Sequence, residues 1–180
     1  MTHEKTLNKG NVALAAALVT LTFNPVFEAQ AFTGTASATA VVATAVTVNG
    51  TVPLHFGSIT IASAGTIAVD PTGTRGAGTG GVTGINAGGA EVAGSVLVNG
   101  ASGVPIDLTV SGTGATLSNG TATMTLSAVD VVAAANGNST TVTLTAAGSS
   151  AVPFGATLNA AGGEGAGTYT GTFPVVANYQ

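Results

Sequence analysis

From Ala36 to Val48 the chain alternates between apolar and hydroxyl side chains, reading Ala-Ser-Ala-Thr-Ala-Val-Val-Ala-Thr-Ala-Val-Thr-Val. Successive side chains of a strand point to opposite faces. Ala36, Ala38, Ala40, Val42, Val46 and Val48 therefore share one face, interrupted by Thr44, while Ser37, Thr39 and Thr47 lie opposite. The pattern predicts a single strand about 40 Å long at roughly 3.3 Å per residue. Asn49-Gly50 follows it as a turn signal, one of four Asn-Gly pairs, with Asn99-Gly100, Asn119-Gly120 and Asn136-Gly137. Both residues tolerate positive φ, which tight turns between antiparallel strands require.

Shorter β-prone runs continue to the end of the chain: Thr51–Ser58, Thr66–Val69, Val92–Val98, Val104–Val110, Ala115–Leu117, Thr121–Leu126, Thr140–Thr145, Ala151–Leu158 and Thr168–Tyr179. Val52, Leu54 and Phe56 are expected inward with His55 outward, and Ile59 and Ile61 continue the apolar face. In the last run Tyr169, Gly171, Phe173, Val175, Ala177 and Tyr179 share a face. Asp70-Pro71-Thr72-Gly73 predicts a tight turn, and the glycine-dense stretch Gly76–Gly89 predicts a mobile loop. Val129–Ala135 is the one helical candidate after the N-terminal region, and Asn136-Gly137 stops it within two turns. Many short strands punctuated by turns describe an all-β sandwich. A membrane barrel would need aromatic girdles at both interfaces, and 2 Tyr, 6 Phe and no Trp supply too few rings.

The N-terminal region reads as an export signal. Lys5 and Lys9 precede the apolar run Val12–Phe23, Asn24-Pro25 breaks it, and Ala29-Gln30-Ala31 is a small-x-small cleavage pattern. The run is too short to span a bilayer, which takes about 20 residues. Cleavage after Ala31 would remove 31 of 180 residues and leave 149, the size of one domain. The expected organisation is a signal peptide over 1–31, an N-terminal strand over 32–48 and a β-sandwich over 49–180.

Charge narrows the function classes. After residue 31, Arg75 is the single basic Lys or Arg against Asp70, Glu91, Asp107, Asp130 and Glu164, a net charge of −4. Nucleic acid and anionic membrane are unsuited partners for such a surface. With no cysteine there is no disulfide, thiolate metal site, cysteine nucleophile or lipid attachment point. A surface so poor in charge suits contact with other copies of the same chain.

Few residues offer chemistry. His55, flanked by Leu54 and Phe56, has no neighbouring acid or nucleophile in the sequence with which to act as a general base. Asp70 and Arg75 bracket a turn and are expected to organise it through a local ion pair or hydrogen bond. Asp107 and Asp130 could join a calcium site, but no Asp-x-Asp-x-Asp loop accompanies them. Neither a Gly-x-Ser-x-Gly elbow nor a phosphate-binding Gly-Lys-Thr is present. The expectation is a non-enzymatic protein without a cofactor.

Three motifs carry a resemblance. Leu54-His55-Phe56-Gly57-Ser58-Ile59, Asp70-Pro71-Thr72-Gly73-Thr74-Arg75 and Ala166-Gly167-Thr168-Tyr169-Thr170-Gly171-Thr172-Phe173 resemble, in that order, a bacterial family known as domain of unknown function 4402. The Phe-Gly start and Gly-Thr-Tyr-Thr-Gly end are also similar to spore coat U-type pilins of archaic chaperone-usher pili, from which this chain departs in lacking cysteines. That likeness implies an immunoglobulin-like, pilin-like sandwich lacking one strand, completed by the N-terminal strand of the next subunit.

Physical chemistry supports the same arrangement. An incomplete sandwich exposes unpaired backbone and apolar side chains, and an alternating apolar strand satisfies both. Burying about 300–400 Å² of apolar surface at roughly 25 cal/mol per Å² gives on the order of 8–10 kcal/mol before ordering costs. The expected donor residues are Ala36, Ala38, Ala40, Val42, Val46 and Val48, and the expected acceptor groove is Leu54, Phe56, Tyr169, Phe173 and Val175. Function is then expected as a secreted structural subunit, exported through the periplasm to the cell surface. Repeated head-to-tail donation builds a fibre or pilus-like filament serving adhesion or biofilm. Its partners are other copies of itself, with a periplasmic chaperone and outer-membrane usher implied by the pilin likeness. The alternative is a self-complemented monomeric adhesin or carbohydrate-binding module.

Overall fold

Val, Ile and Thr dominate the runs between turns, and β-branched side chains pack well on a pleated surface. A computed structural model describes residues 35–86, 90–131 and 137–180, so the predicted signal peptide lies outside the described residues. The chain divides into two units, Met1–Ala40 and Val41–Gln180. In the first, residues 35–40 are exposed and carry no secondary structure. The second is all-β, with no helix among its described residues.

Its strands are β1 (Thr47–Val52), β2 (Ser58–Ile61), β3 (Gly65–Val69), β4 (Val82–Ile85), β5 (Gly94–Asn99), β6 (Pro105–Val110), β7 (Thr116–Ser118), β8 (Thr123–Val131), β9 (Ser139–Thr143), β10 (Ser149–Ala160) and β11 (Val175–Tyr179). The larger sheet runs β1-β5-β10-β8-β7, with β3 also paired to β10. A second sheet runs β11-β6-β9, and β2 pairs β4. Every pairing is antiparallel. The core is made by alternating positions on these strands. Val96 and Val98 of β5, Ile106, Leu108 and Val110 of β6, Leu126 of β8, and Val152, Phe154 and Leu158 of β10 are all buried. This is the layered β-sandwich that the strand pattern predicts.

Local turn chemistry predicts connectivity less well. Asn119-Gly120 closes the β7–β8 hairpin, with Asn119 Oδ1 accepting from the Thr121 and Ala122 amides at 2.9 and 2.8 Å. Asn49-Gly50 does not turn at all, because it lies inside β1 opposite Leu97 and Val96, with a register irregularity between Gly50 and Val52. Asn99-Gly100 ends β5, whose partners are β1 and β10 and not the following strand. Asn136 lies outside the described residues, and the flanking β8 and β9 belong to different sheets. Crossing between layers, which no dipeptide encodes, replaces the expected hairpins.

Two further expectations are corrected. The strand predicted over Ala36–Val48 forms only from Thr47 onward, since residues 35–46 have no strand neighbour. The stretch Gly76–Gly89 contains β4, and three of its glycines lie close against other backbone segments. A Cβ on Gly78 would strike the Val82 carbonyl, one on Gly80 the Ala64 carbonyl, and one on Gly81 the Ser63 backbone. The bare backbones instead exchange hydrogen bonds, Ala62 N to Gly81 O and Thr79 N to Thr66 O, both 2.8 Å. Here glycine serves close approach between chain segments.

The turn at Asp70 forms as predicted. Asp70 Oδ1 accepts from the Thr72 amide, the Thr72 hydroxyl and the Thr74 amide at 2.8, 2.6 and 2.9 Å, and Gly73 takes φ 88°. The Thr72 hydroxyl first, then the Thr74 amide, holds this carboxylate below its ordinary value of 3.8. A depressed folded value means stability that is present above pH 3.8 and lost as pH falls through the folded value. Asp70→Asn is therefore expected to lower the melting temperature at pH 6–7, with the gap to wild type narrowing as pH falls below 3.8 through the folded value, as thermal unfolding across pH would record.

Candidate functional site

Two connected cavities line one side of the sandwich, of about 630 and 590 Å³. Both are lined by Leu54, His55, Phe56, Leu117, Thr168 and Tyr169, so they form one groove. One wall is drawn from residues 48–61 and the other from residues 164–175. The inner face of the large sheet supplies the floor: Val96, Leu126 and Phe154 at the Val175 end, Met124 and Leu158 at the Ile61 end, and Leu117 between. Phe154 and Phe173 meet edge to face, with ring centroids 5.7 Å apart at 85°. This end is aromatic and the far end aliphatic.

Both walls read as strands in the sequence and lose that structure beside the groove. Among the described residues, the run predicted over Thr168–Tyr179 is strand only from Val175, and within residues 165–173 only Thr170 exchanges backbone hydrogen bonds, with Ser118 at 2.8 and 3.0 Å. The opposite run, predicted over Thr51–Ser58, leaves strand between Val52 and Ser58 except where His55 exchanges 2.9 Å bonds with Val92. A strand is kept extended by a neighbour's ladder. Both sides of the groove thus carry alternating sequence without a continuous ladder among the described residues. β11 is hydrogen-bonded to β6 on one edge, and no strand is hydrogen-bonded to its other edge among the described residues.

Arg75 supports the first wall. Its side chain, 8% exposed, donates to the Phe56 and Ser58 carbonyls at 3.1 and 3.3 Å and pairs with Glu91 at 3.5 Å. The guanidinium lies against the Cα atoms of Gly57 and Gly84, where a side chain would displace it. The expected local pairing with Asp70 is thus corrected: Asp70 organises its own turn, and Arg75 reaches across to the groove.

Two polar side chains of the groove, His55 and Glu164, are engaged by backbone amides. His55 Nδ1 accepts the Gly57 amide at 2.9 Å, which places the ring proton on Nε2. At the Ile61 end, Glu164 accepts from the Ala161 and Gly162 amides at 2.6 and 2.9 Å. Desolvation raises its titration point, but the amides of Glu164, Ala161 and Gly162 outweigh that and hold it below 4.5. Asp107, on the outer face of β6, accepts from Thr141 and Gln180, each at 2.8 Å.

All five residues expected in the acceptor groove, Leu54, Phe56, Tyr169, Phe173 and Val175, line it. Of the expected donor residues, Ala36, Ala38, Ala40 and Val42 are exposed, Val42 at 93%. Val46 and Val48 pack against the chain's own core, and Val48 lines the groove. Floor residues escaped the sequence reading. Alternation marks Phe154 and Leu126 as inward but cannot say which inward residues lie under a gap.

No curated protein and no solved structure matches the chain. Residues 46–179 match the family described as domain of unknown function (DUF4402), a span that takes in all eleven strands and leaves residues 36–45 outside it. The chain belongs to the DUF4402 family.

Proposed function

We propose that this protein is a secreted structural subunit that assembles head to tail by donating its N-terminal segment into the groove of the next copy. The observation that carries this reading is the groove itself. It is predominantly apolar at the Val175 end and mixed at the Ile61 end, lies beside the unpaired edge of β11, and is bounded by two walls whose sequences read as strands. An inserted strand supplies backbone partners and apolar side chains together. The segment Ala36–Val42 has the matching alternation and is exposed. Because Val46 and Val48 serve the chain's own core, the donor narrows to the residues before Ala43.

Donation to a neighbour is favoured over return into the same domain. Folding back needs a reversal just before β1, and Ala43-Thr44-Ala45 contains none of the glycine, asparagine or proline that tight turns use. Asn49-Gly50, the nearby turn signal, is committed inside β1. The Tyr179 hydroxyl also holds the Thr44 carbonyl. A groove filled by the next copy, repeated without closure, gives a filament. Adhesion or biofilm, delivery by a chaperone and usher, and kinship with spore coat U-type pilins belong to this proposal and rest on the motif likeness.

Electron microscopy of the purified mature chain, beside a variant lacking residues 32–42, tests it. Filaments from the full chain, absent from the variant and blocked by a peptide of residues 32–42, are expected. A full chain that stays monomeric, with residues 36–42 protected from proteolysis, overturns the reading in favour of the self-complemented module.

A further inference from the structure

Alanine methyls are too small for the groove they are proposed to enter. The floor at the Val175 end is formed by Val96, Leu126 and Phe154, with Phe173 set edge-on above, around about 630 Å³. Ala36, Ala38 and Ala40 offer one carbon each, and only Val42 is larger. Continuing the even-numbered face upstream reaches Gly34 and then Phe32, the first residue after the predicted cleavage site. Phe32 is the single aromatic residue between that site and β1.

We infer that Phe32 of a second copy is the anchor of the junction, seated in the aromatic end of the groove against Phe154 and Phe173. With Phe32 at the Val175 end, the alanines that follow it run toward the end near Met124 and Leu158. An edge-to-face partner is the geometry that a third ring can extend. The donor then runs antiparallel to residues 164–175. Each subunit's own segment leaves from the end marked by Thr44 and Tyr179, opposite the Ile61 end. Its copies therefore stack in one direction, and the array stays open.

This inference rests on the strand-exchange reading, and its test separates the two. Phe32→Ala filaments are expected to lose subunits in dilute denaturant roughly 100-fold faster than wild type, with Phe32→Trp retaining most of the wild-type lifetime. Because the chain has no cysteine, introduced pairs report neighbours without ambiguity. Phe32→Cys with Val175→Cys should give a ladder of disulfide-linked multimers, and Phe32→Cys with Ile59→Cys should not. Wild-type filaments whose lifetime is unchanged by Phe32→Ala, or a ladder from the Ile59 pair, overturn the anchor while leaving strand exchange standing. An absence of wild-type filaments removes both.

Discussion

Phe154→Ala is expected to lower the unfolding free energy by about 3–5 kcal/mol and to abolish uptake of the donor peptide. Phe154 is 5% exposed, lies over the bare Cα of Gly94 and makes the edge-to-face contact with Phe173. It belongs at once to the sandwich core and to the groove floor. Truncation leaves a cavity on the core side and removes the ring surface on the groove side. The cost should appear as a melting temperature lower by about 10 °C. Phe154→Leu separates the roles, because it keeps most of the buried volume and loses the aromatic contact, worth about 0.5–1.5 kcal/mol. Calorimetry read beside titration with a peptide of residues 32–42 measures both. Unimpaired peptide binding by Phe154→Ala would remove this ring from the groove.

Arg75→Met should cost about 2–3 kcal/mol and disorder the Phe56–Ser58 wall. Breaking a buried ion pair leaves the partner charge uncompensated and costs up to about 3–5 kcal/mol. Glu91 is 32% exposed and recovers hydration, which reduces that figure. The Phe56 and Ser58 carbonyls lose their donor. Arg75→Lys should recover little, because a single ammonium cannot reproduce a planar fork seated between Gly57 and Gly84. Gly84→Ala, which sets a methyl where the guanidinium lies, should reproduce the loss with Arg75 intact. Hydrogen exchange at Phe56–Ser58 and equilibrium unfolding together check this. Wild-type protection in Arg75→Met would make the contact dispensable.

Much of the fold was legible because alternation reports burial directly. Ile106, Leu108 and Val110 alternate with Asp107 and Thr109, and all three are buried. The Asp70 turn was legible because its hydrogen bonds close within four residues. Asn49-Gly50 was misleading for the opposite reason. A dipeptide permits a turn, but pairing of Thr47–Gly50 with Val96–Asn99, almost fifty residues on, outweighs it. The glycines of residues 76–81 look like a flexible loop until the backbones they admit are in place.

The candidate site was legible on its walls and hidden on its floor. Leu54, Phe56, Tyr169, Phe173 and Val175 stand in alternating runs near two recognisable motifs. Phe154, Leu126 and Val96 look like any other inward residues, and only the layering shows that they line a groove with no strand over it among the described residues. Arg75 was expected to help organise its own turn through a local ion pair or hydrogen bond, whereas its partners lie eleven to nineteen residues away in both directions.

By itself the sequence determined the all-β class, the inward set of most strands and the Asp70 turn, since each depends on side-chain alternation or on hydrogen bonds a few residues apart. The tertiary structure decided which strands pair, where glycine backbones pack, what Arg75 holds, and that two runs of strand-forming sequence face each other across a groove with no strand between them among the described residues. Those outcomes depend on ladders between distant segments, and a local pattern can specify that a strand wants a neighbour without saying which neighbour it has.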